Sequence, residues 1–373
     1  MLNIGINGGG IGGLAAAIAL QGAGHRVTIF EQASQFGRVG ADINLTPNAV
    51  RALDGLGVGD RLRETAAWPT ARISRAWDTG EQTSYLEMAG KAERDYGAPQ
   101  LTMHRADVIA ALEEAVVPDS LQLGRQTVAY EADASAATLV LADGSRHRFD
   151  LVVGADGIHS GLRRFLFGED HPQFTGIVSY RAVIPSERLP GLDLGAFVKW
   201  WGPSEDLQIV SFPLNRGREI FVFATTAQPE WSQESWTTPG DADALRARYR
   251  DFHPQARALL QACDTVLASA LHVRDPLPAW SGPHMTLLGD ACHPMMPFMA
   301  QGAGMAIEDA VVLARSLEGL APMEVEVGLA RYETARRQRT ASIQIGSRCN
   351  QWLKDGSNAD WVYGYDAWHV SLN

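Results

Sequence analysis

The chain opens on a strand, a glycine loop and a helix in direct succession, NIGINGGGIGGLAAAIALQG over residues 3–22. Residues 3–7 read as a short strand, Ile11 to Ala23 as a helix of small residues, and Arg26 to Glu31 (RVTIFE) as a second strand rich in β-branched side chains. Gly8, Gly10 and Gly13 hold the G-x-G-x-x-G spacing between the first strand and the helix. Each glycine has a separate task there: a tight turn, close approach of backbone to a pyrophosphate, and close packing of helix on strand. The phosphates fall at the positive helix end that begins with Ile11. Glu31, followed by Gln32, ends the second strand, where a carboxylate accepts from ribose hydroxyls and repels a 2′-phosphate. The pattern predicts a bound dinucleotide, but NAD and FAD share it. Asn7 is polar where such a strand is usually apolar, and local hydrogen bonding is the only account the sequence offers.

The remaining chain divides by texture. Pro47 to Leu56 and Asp107 to Val116 have helical spacing, Ala137 to Leu141 before Asp143-Gly144 predicts a hairpin, and Leu151 to Gly154 is the apolar run of a buried parallel strand. From about Gly176 to Ala270, alternating or β-branched runs are divided by Pro, Gly and Asn turns, which predicts an antiparallel sheet. Met285 to Leu288 returns to the buried-strand type, Gly302 to Leu317 is helical, and Glu326 to Gln351 is a long charged amphipathic helix before the aromatic stretch WVYGYDAW. The expected fold class is α/β. A Rossmann-like dinucleotide-binding domain takes 1–75, 100–175 and 275–325, an inserted antiparallel-sheet substrate domain takes 76–99 and 176–274, and a C-terminal helix and tail take 326–373.

Composition narrows the partners. A net charge of -11 disfavours nucleic acid and anionic membrane surfaces. Three cysteines without a CxxC pair give neither a disulfide framework nor a metal site, and point to a reducing cytoplasm. No leader is apparent, and no run reaches the roughly 18 uncharged apolar residues of a membrane span.

Two later segments repeat one plan. LVVGADGIHSGLRR, residues 151–164, is a strand, an Asp-Gly turn and two arginines; alone it reads as a strand-helix joint with Asp156 as the cap. MTLLGDACHPMMPFMAQGAG, residues 285–304, is a strand, Gly289-Asp290, a proline-bounded loop and a helix start. With the glycine loop and MHRADV around Arg105, these segments stand in the order that resembles the single-component FAD-dependent aromatic monooxygenases, the class of salicylate hydroxylase and the hydroxybenzoate and hydroxynicotinate hydroxylases. The resemblance covers nearly the whole chain. KWW at 199–201 and WVYGYD at 361–366 are most similar to the 6-hydroxynicotinate 3-monooxygenases.

That resemblance implies FAD as cofactor, with NADH (or NADPH) and O2 as co-substrates. It assigns Asp290 to the ribityl hydroxyls, Gly302, Ala303 and Gly304 to the flavin pyrimidine edge, and Pro297 to the ring side. Arg105 is assigned to the phosphate or ribityl region, Arg38 and Ala41 to a second cofactor loop, and Asp156 to FAD and the nicotinamide nucleotide. Arg181 would steer the flavin and, with Pro297, form the catalytic pair. Asn44, Phe197, Leu207, Ser211 and Phe298 align with histidine, cysteine, histidine, tyrosine and histidine of the hydroxynicotinate enzymes; these five changes set the pocket apart from theirs. The implied reaction is hydroxylation of a small hydroxylated aromatic or N-heteroaromatic acid through a flavin C4a-hydroperoxide, with or without decarboxylation. A reductase or dehydrogenase of the same fold is the alternative. Among histidines near motifs, His104, His159, His272 and His293, none stands out as a base over a structural donor. Homodimerisation through the sheet lobe or tail stays open.

Overall fold

Residues 1–37, 42–231, 237–354 and 358–372 are described in the computed structural model of the chain. The strand Asn3–Asn7 lies within a six-stranded sheet, in the order Ser281–Gly282, Met285–Leu287, Leu151–Gly154, Asn3–Asn7, Arg26–Glu31, Leu121–Leu123. All pairs except the first are parallel. Parallel strands carry helices on both faces and must therefore be apolar throughout. Ile4, Ile6, Leu151, Val152, Val153 and Met285 have no exposed surface. The helix Ile11–Gly22 and the helix Gly302–Leu317 bury their apolar faces in the same core. Asn7 acquires its account here: Nδ2 donates to Tyr130 Oη at 2.7 Å and to Asp156 Oδ2 at 3.0 Å, joining this strand to the Asp-Gly turn.

An eight-stranded sheet forms the second lobe, in the order Thr238–Gly240, Val266–Val273, Gln173–Pro185, Glu219–Ala227, Gln208–Leu214, Phe197–Trp201, Ala71–Ala76, Gln82–Glu87. It takes in the chain from Ala71, earlier than the boundary drawn at 76. Two helices, Ala242–Arg248 and Pro254–Gln261, break the stretch expected to be sheet throughout. They cover one face through Leu245, Tyr249 and Leu259, against Ile73, Val198, Trp200, Ile209, Val222 and Ala224. Alternation then dictates the other face, which turns toward the first lobe: Arg72, Lys199, Val210, Phe223 and Arg181. The register lines up Ser74, Lys199, Val210, Phe223 and Arg181 across five strands.

The lobes are tied by Thr102 Oγ1 donating to the Pro213 carbonyl at 2.6 Å and by His104 Nε2, 3.1 Å from Glu219 Oε2. The 24-residue helix Val325–Arg348 packs behind Gly302–Leu317. The segment after it crosses the domain-facing side of the sheet, where Ser74 Oγ donates to the Leu353 carbonyl at 3.3 Å and Arg72 donates to Tyr363 Oη at 2.9 Å. No helix among the described residues is long and apolar enough to cross a membrane.

Candidate active site

The glycine loop is built by contact. Gly8 has φ +110°, and a Cβ there would stand 2.4 Å from the Ala155 carbonyl oxygen; a Cβ on Gly13 would stand 1.9 Å from the carbonyl oxygen of Gly8. Gly10 caps the helix with no side-chain hydrogen bond, and the first turn, starting at Ile11, carries no acid. Its amide donors are therefore left to a ligand, and a side chain at Gly10 would meet only open space, the clearance a pyrophosphate needs. Glu31 accepts from the Gly9 amide at 2.7 Å and the Ala33 amide at 2.8 Å, which fixes its carboxylate at the loop edge; Gln32 beside it is exposed.

The Gly289-Asp290 segment follows the buried strand Met285–Leu287 as a short 3-10 turn. Asp290 opens outward, yet protein surrounds it closely enough that burial pushes its carboxyl upward, with His293 and Arg105 pulling the other way. Arg105, exposed at the first position of the helix Arg105–Ala115, thus shares a field with Asp290. A Cβ on Gly302 would lie 4.0 Å from Asp290 Oδ1, so the carboxylate and the start of the helix Gly302–Leu317 border one space. That helix start, Gly302-Ala303-Gly304, also has no side-chain cap and no acid in its first turn. Pro297, exposed, begins a 3-10 turn that ends in left-handed Ala300 (φ 55°) and sends Phe298 inward against Met296, Leu271 and Phe223.

Two uncapped helix starts, an isolated carboxylate and a cationic residue thus suit a phosphate-bearing flavin. Arg181, 7% exposed on the facing sheet, shares the field of Asp42, whose carboxyl burial pushes up to about 7 against the pull of Arg181 and Arg105. Arg38 and Ala41 lie outside the described residues.

Asp156 Oδ2 accepts from Asn7, from Tyr130 Oη at 3.1 Å, and from the amides of Gly161 at 2.9 Å and Leu162 at 3.3 Å, so this oxygen caps the helix Gly161–Phe167, while Oδ1 is buried without a partner. Two assignments change. Leu207 belongs to the core beneath the two helices, on the far side of the sheet. Ser211 pairs with Val198 and Val222 of that same core and faces away as well. The domain-facing positions are Gln208, Val210 and Phe212. Of the other substrate candidates, Phe197 is stacked on Phe212 (centroids 5.2 Å apart) beneath the Arg72 guanidinium, and Asn44 Oδ1 accepts from Gln100 while its Nδ2 is buried without a partner.

The sequence reading passed over a buried ionic cluster supporting this site. Asp309 Oδ2 accepts from the Gly289 amide at 3.1 Å and lies 2.5 Å from His293 Nε2, while its Oδ1 accepts from Arg336 Nε at 2.7 Å. Glu308 accepts from Arg336 at 2.6 Å, from Arg339 at 2.8 and 3.0 Å, and from Asn48 at 2.7 Å. Both carboxyls are held below their usual range by these arginines and, for Asp309, by His293, despite burial that opposes this. The signal was available: an adjacent Glu-Asp pair inside the apolar stretch from Met305 to Ala314. His293 and His104 are both engaged with carboxylates, consistent with structural roles.

Residues 1–344 match the family described as FAD binding domain. The chain is 36% identical over 370 residues to 6-hydroxynicotinate 3-monooxygenase of Bordetella bronchiseptica, covering 99% of this chain and 96% of that one. It is 36% identical over 350 residues to 3-hydroxybenzoate 6-hydroxylase 1 of Aquipseudomonas alcaligenes, covering 93% and 88%. A solved salicylate hydroxylase substrate complex superposes with a TM-score of 0.85 at 27% identity, covering 98% of this chain and 96% of that one. With the paired helix starts and the Asp290 segment in place, the match across the greater part of its length makes this chain a member of the FAD-binding-domain family of flavin-dependent monooxygenases.

Proposed function

We propose that the protein is an NAD(P)H- and O2-dependent monooxygenase that hydroxylates a small hydroxylated aromatic or N-heteroaromatic acid. The observation carrying this reading is the shared border of Asp290 and the bare start of the helix Gly302–Leu317, opposite a sheet face with Val210 and Phe223 partly open. FAD held there would supply the redox chemistry, the acceptance of hydride from the nicotinamide and the activation of oxygen.

The chain's own contribution is placement and electrostatics. The amides after Gly10 would hold the pyrophosphate, and the carboxylate of Asp290 would accept from the ribityl hydroxyls. The amides at Gly302 to Gly304, with the helix dipole behind them, favour negative charge on the flavin pyrimidine. Phe223, Val210 and Phe298 offer an apolar slot that excludes water and orients the ring. Arg181 stands about 14 Å from Lys199 along the sheet row, three strand spacings, which leaves room for an aromatic ring between cofactor end and far wall.

The test is anaerobic stopped-flow reduction of the FAD-loaded protein by NADH with hydroxybenzoates, salicylates and hydroxypyridine acids, with products identified by mass spectrometry. At least one member accelerates reduction and returns a product heavier by one oxygen, or hydroxylated with loss of CO2. If no member changes the reduction rate, the reading fails. Hydride transfer coupled to oxidation of a second acceptor, without ring hydroxylation, would favour the dehydrogenase instead.

A further inference from the structure

On the domain-facing side of the sheet, positive charge gathers where no acid among the described residues answers it. Lys199 is 7% exposed; its Nζ lies 3.6 Å from the centroid of the Trp201 ring, and Lys354 Nζ lies 5.4 Å from the same ring. Lys199 donates to the neutral Asn350 Oδ1 at 2.6 Å. Burial holds the amine well below the usual lysine range, and the charges of the described residues that act on it, Arg72 and Lys354, are both positive and push the same way. Glu205, the acid near this segment, accepts from Gln351 Nε2 at 3.3 Å. Burying a lysine among like charges costs stability, and such a group is retained where something outside the chain supplies the anion.

A second observation points the same way without involving charge. Gln208, 1% exposed and directly opposite Trp201 in the register, has neither its amide nitrogen nor its amide oxygen hydrogen-bonded, and Trp201 Nε1 is likewise buried without a partner. Buried polar atoms are nearly always satisfied, so three orphans on two adjacent residues mark a place where a ligand completes the set. The place adjoins the ring slot: Lys199 shares the cross-strand row of Val210 and Phe223, and its Nζ is 5.5 Å from the Phe298 ring centroid.

We propose that Lys199, with the Gln208 amide and Trp201 Nε1 beside it, receives an anionic oxygen of the ring substrate at the end of the slot away from Arg181. The inference rests on the aromatic-monooxygenase reading and adds the residue that selects for charge. The anionic oxygen has two sources, a carboxylate or a phenolate.

Binding is read from perturbation of the FAD absorbance spectrum, for an active acid, its carboxamide and its phenol methyl ether. In Lys199→Met the acid binds about 10- to 100-fold more weakly, the range of a charge-assisted hydrogen bond. If Lys199 reads the carboxylate, the acid-over-amide preference disappears; if it reads the phenolate, the phenol-over-ether preference disappears. Lys199→Arg restores part of whichever preference was lost. Gln208→Glu, which supplies an internal anion, weakens the acid while sparing the amide or ether, and reports independently should Lys199→Met fail to fold. The proposal is overturned if Lys199→Met keeps both preferences, or weakens all three ligands equally, the mark of a residue that only pins Asn350. If the wild-type spectrum and reduction rate respond to no aromatic at all, the parent reading has failed instead.

Discussion

Arg336 is the place where removing one side chain should disturb both the fold and the cofactor site. It has no exposed surface, and it donates to Glu308 at 2.6 Å and Asp309 at 2.7 Å, both equally buried. Arg336→Leu leaves Glu308 with Arg339 but leaves Asp309 with only His293 and the Gly289 amide. Breaking a buried ion pair from one side costs about 3–5 kcal/mol. With an unfolding entropy near 0.8 kcal/mol/K for 373 residues, that is a drop in Tm of about 4–6 °C. The sign with pH follows from the carboxyls. In the native protein Asp309 is held below the usual carboxylate range, so its contribution is present above the unfolded pKa and is lost as pH falls through the folded one. In the variant, burial acts with one opposing charge fewer, so the folded pKa of Asp309 rises and its share of the stability is lost at higher pH than in wild type. The Tm gap between wild type and variant therefore widens as pH rises from the acid side and does not narrow toward pH 8. Because Asp309 also holds the Gly289 amide, FAD release, followed by flavin fluorescence, should occur at lower temperature than global unfolding followed by circular dichroism. A variant as stable as wild type across this range, or a gap that narrows toward pH 8, would refute the reasoning.

Gly13→Val places side-chain carbon at the Gly8 carbonyl, where even a Cβ would be 1.9 Å away, and is expected to abolish FAD retention during purification, scored by the 450 nm band. Asp290→Asn exchanges the ribityl acceptor for a weaker one and should raise the FAD Kd about 10- to 100-fold in titrations of the apoprotein, with a small change in Tm. Asp42→Asn removes a carboxyl that titrates at about 7 in the field of Arg181 and Arg105. The wild-type flavin reduction rate should change between pH 6 and 8, as Asp42 ionises and competes for Arg181, and the variant should be flat; a persisting step assigns the titration elsewhere. Ser211→Ala should leave substrate affinity unchanged, whereas Val210→Phe, one residue away on the opposite face, should block it; equal effects would show the strand register to be wrong.

That last pair marks the limit of what the sequence allowed. The nucleotide lobe was readable because its rules are local: Gly8, Gly10 and Gly13 sit where strand meets helix, and apolar runs such as Leu151 to Gly154 declare a buried parallel sheet. The inserted sheet was readable as a sheet but not as a pair of faces. In a strand covered on both sides, QIVSFPL shows no clean alternation, and a displacement of one residue turns every side chain over, so the alignment that named Leu207 and Ser211 had no face pattern to be checked against. The helices Ala242–Arg248 and Pro254–Gln261 decide which face is which, and they lie in the stretch read as sheet. Asp156 could be read either as a cofactor contact or as a cap, because both need an acid after a strand; Asn7, Tyr130 and the helix amides engage Oδ2 and leave Oδ1 unpartnered.

The polar residues that broke local rules were the informative ones. Asn7 in an apolar strand, Glu308-Asp309 in an apolar helix and Lys199 in the strand FVKWW each contradict the pattern around them. The first two are resolved inside the chain, by Tyr130 and Asp156 and by Arg336 and Arg339, with hydrogen bonds at every turn. Among the described residues Lys199 is not: its charged neighbours add positive charge, and its bonded partner is a neutral amide. A departure that the fold compensates is architecture, whereas one that it leaves open has to be completed by what binds. By that criterion the substrate end of the slot is set by Lys199, more than by the five positions that alignment alone had singled out.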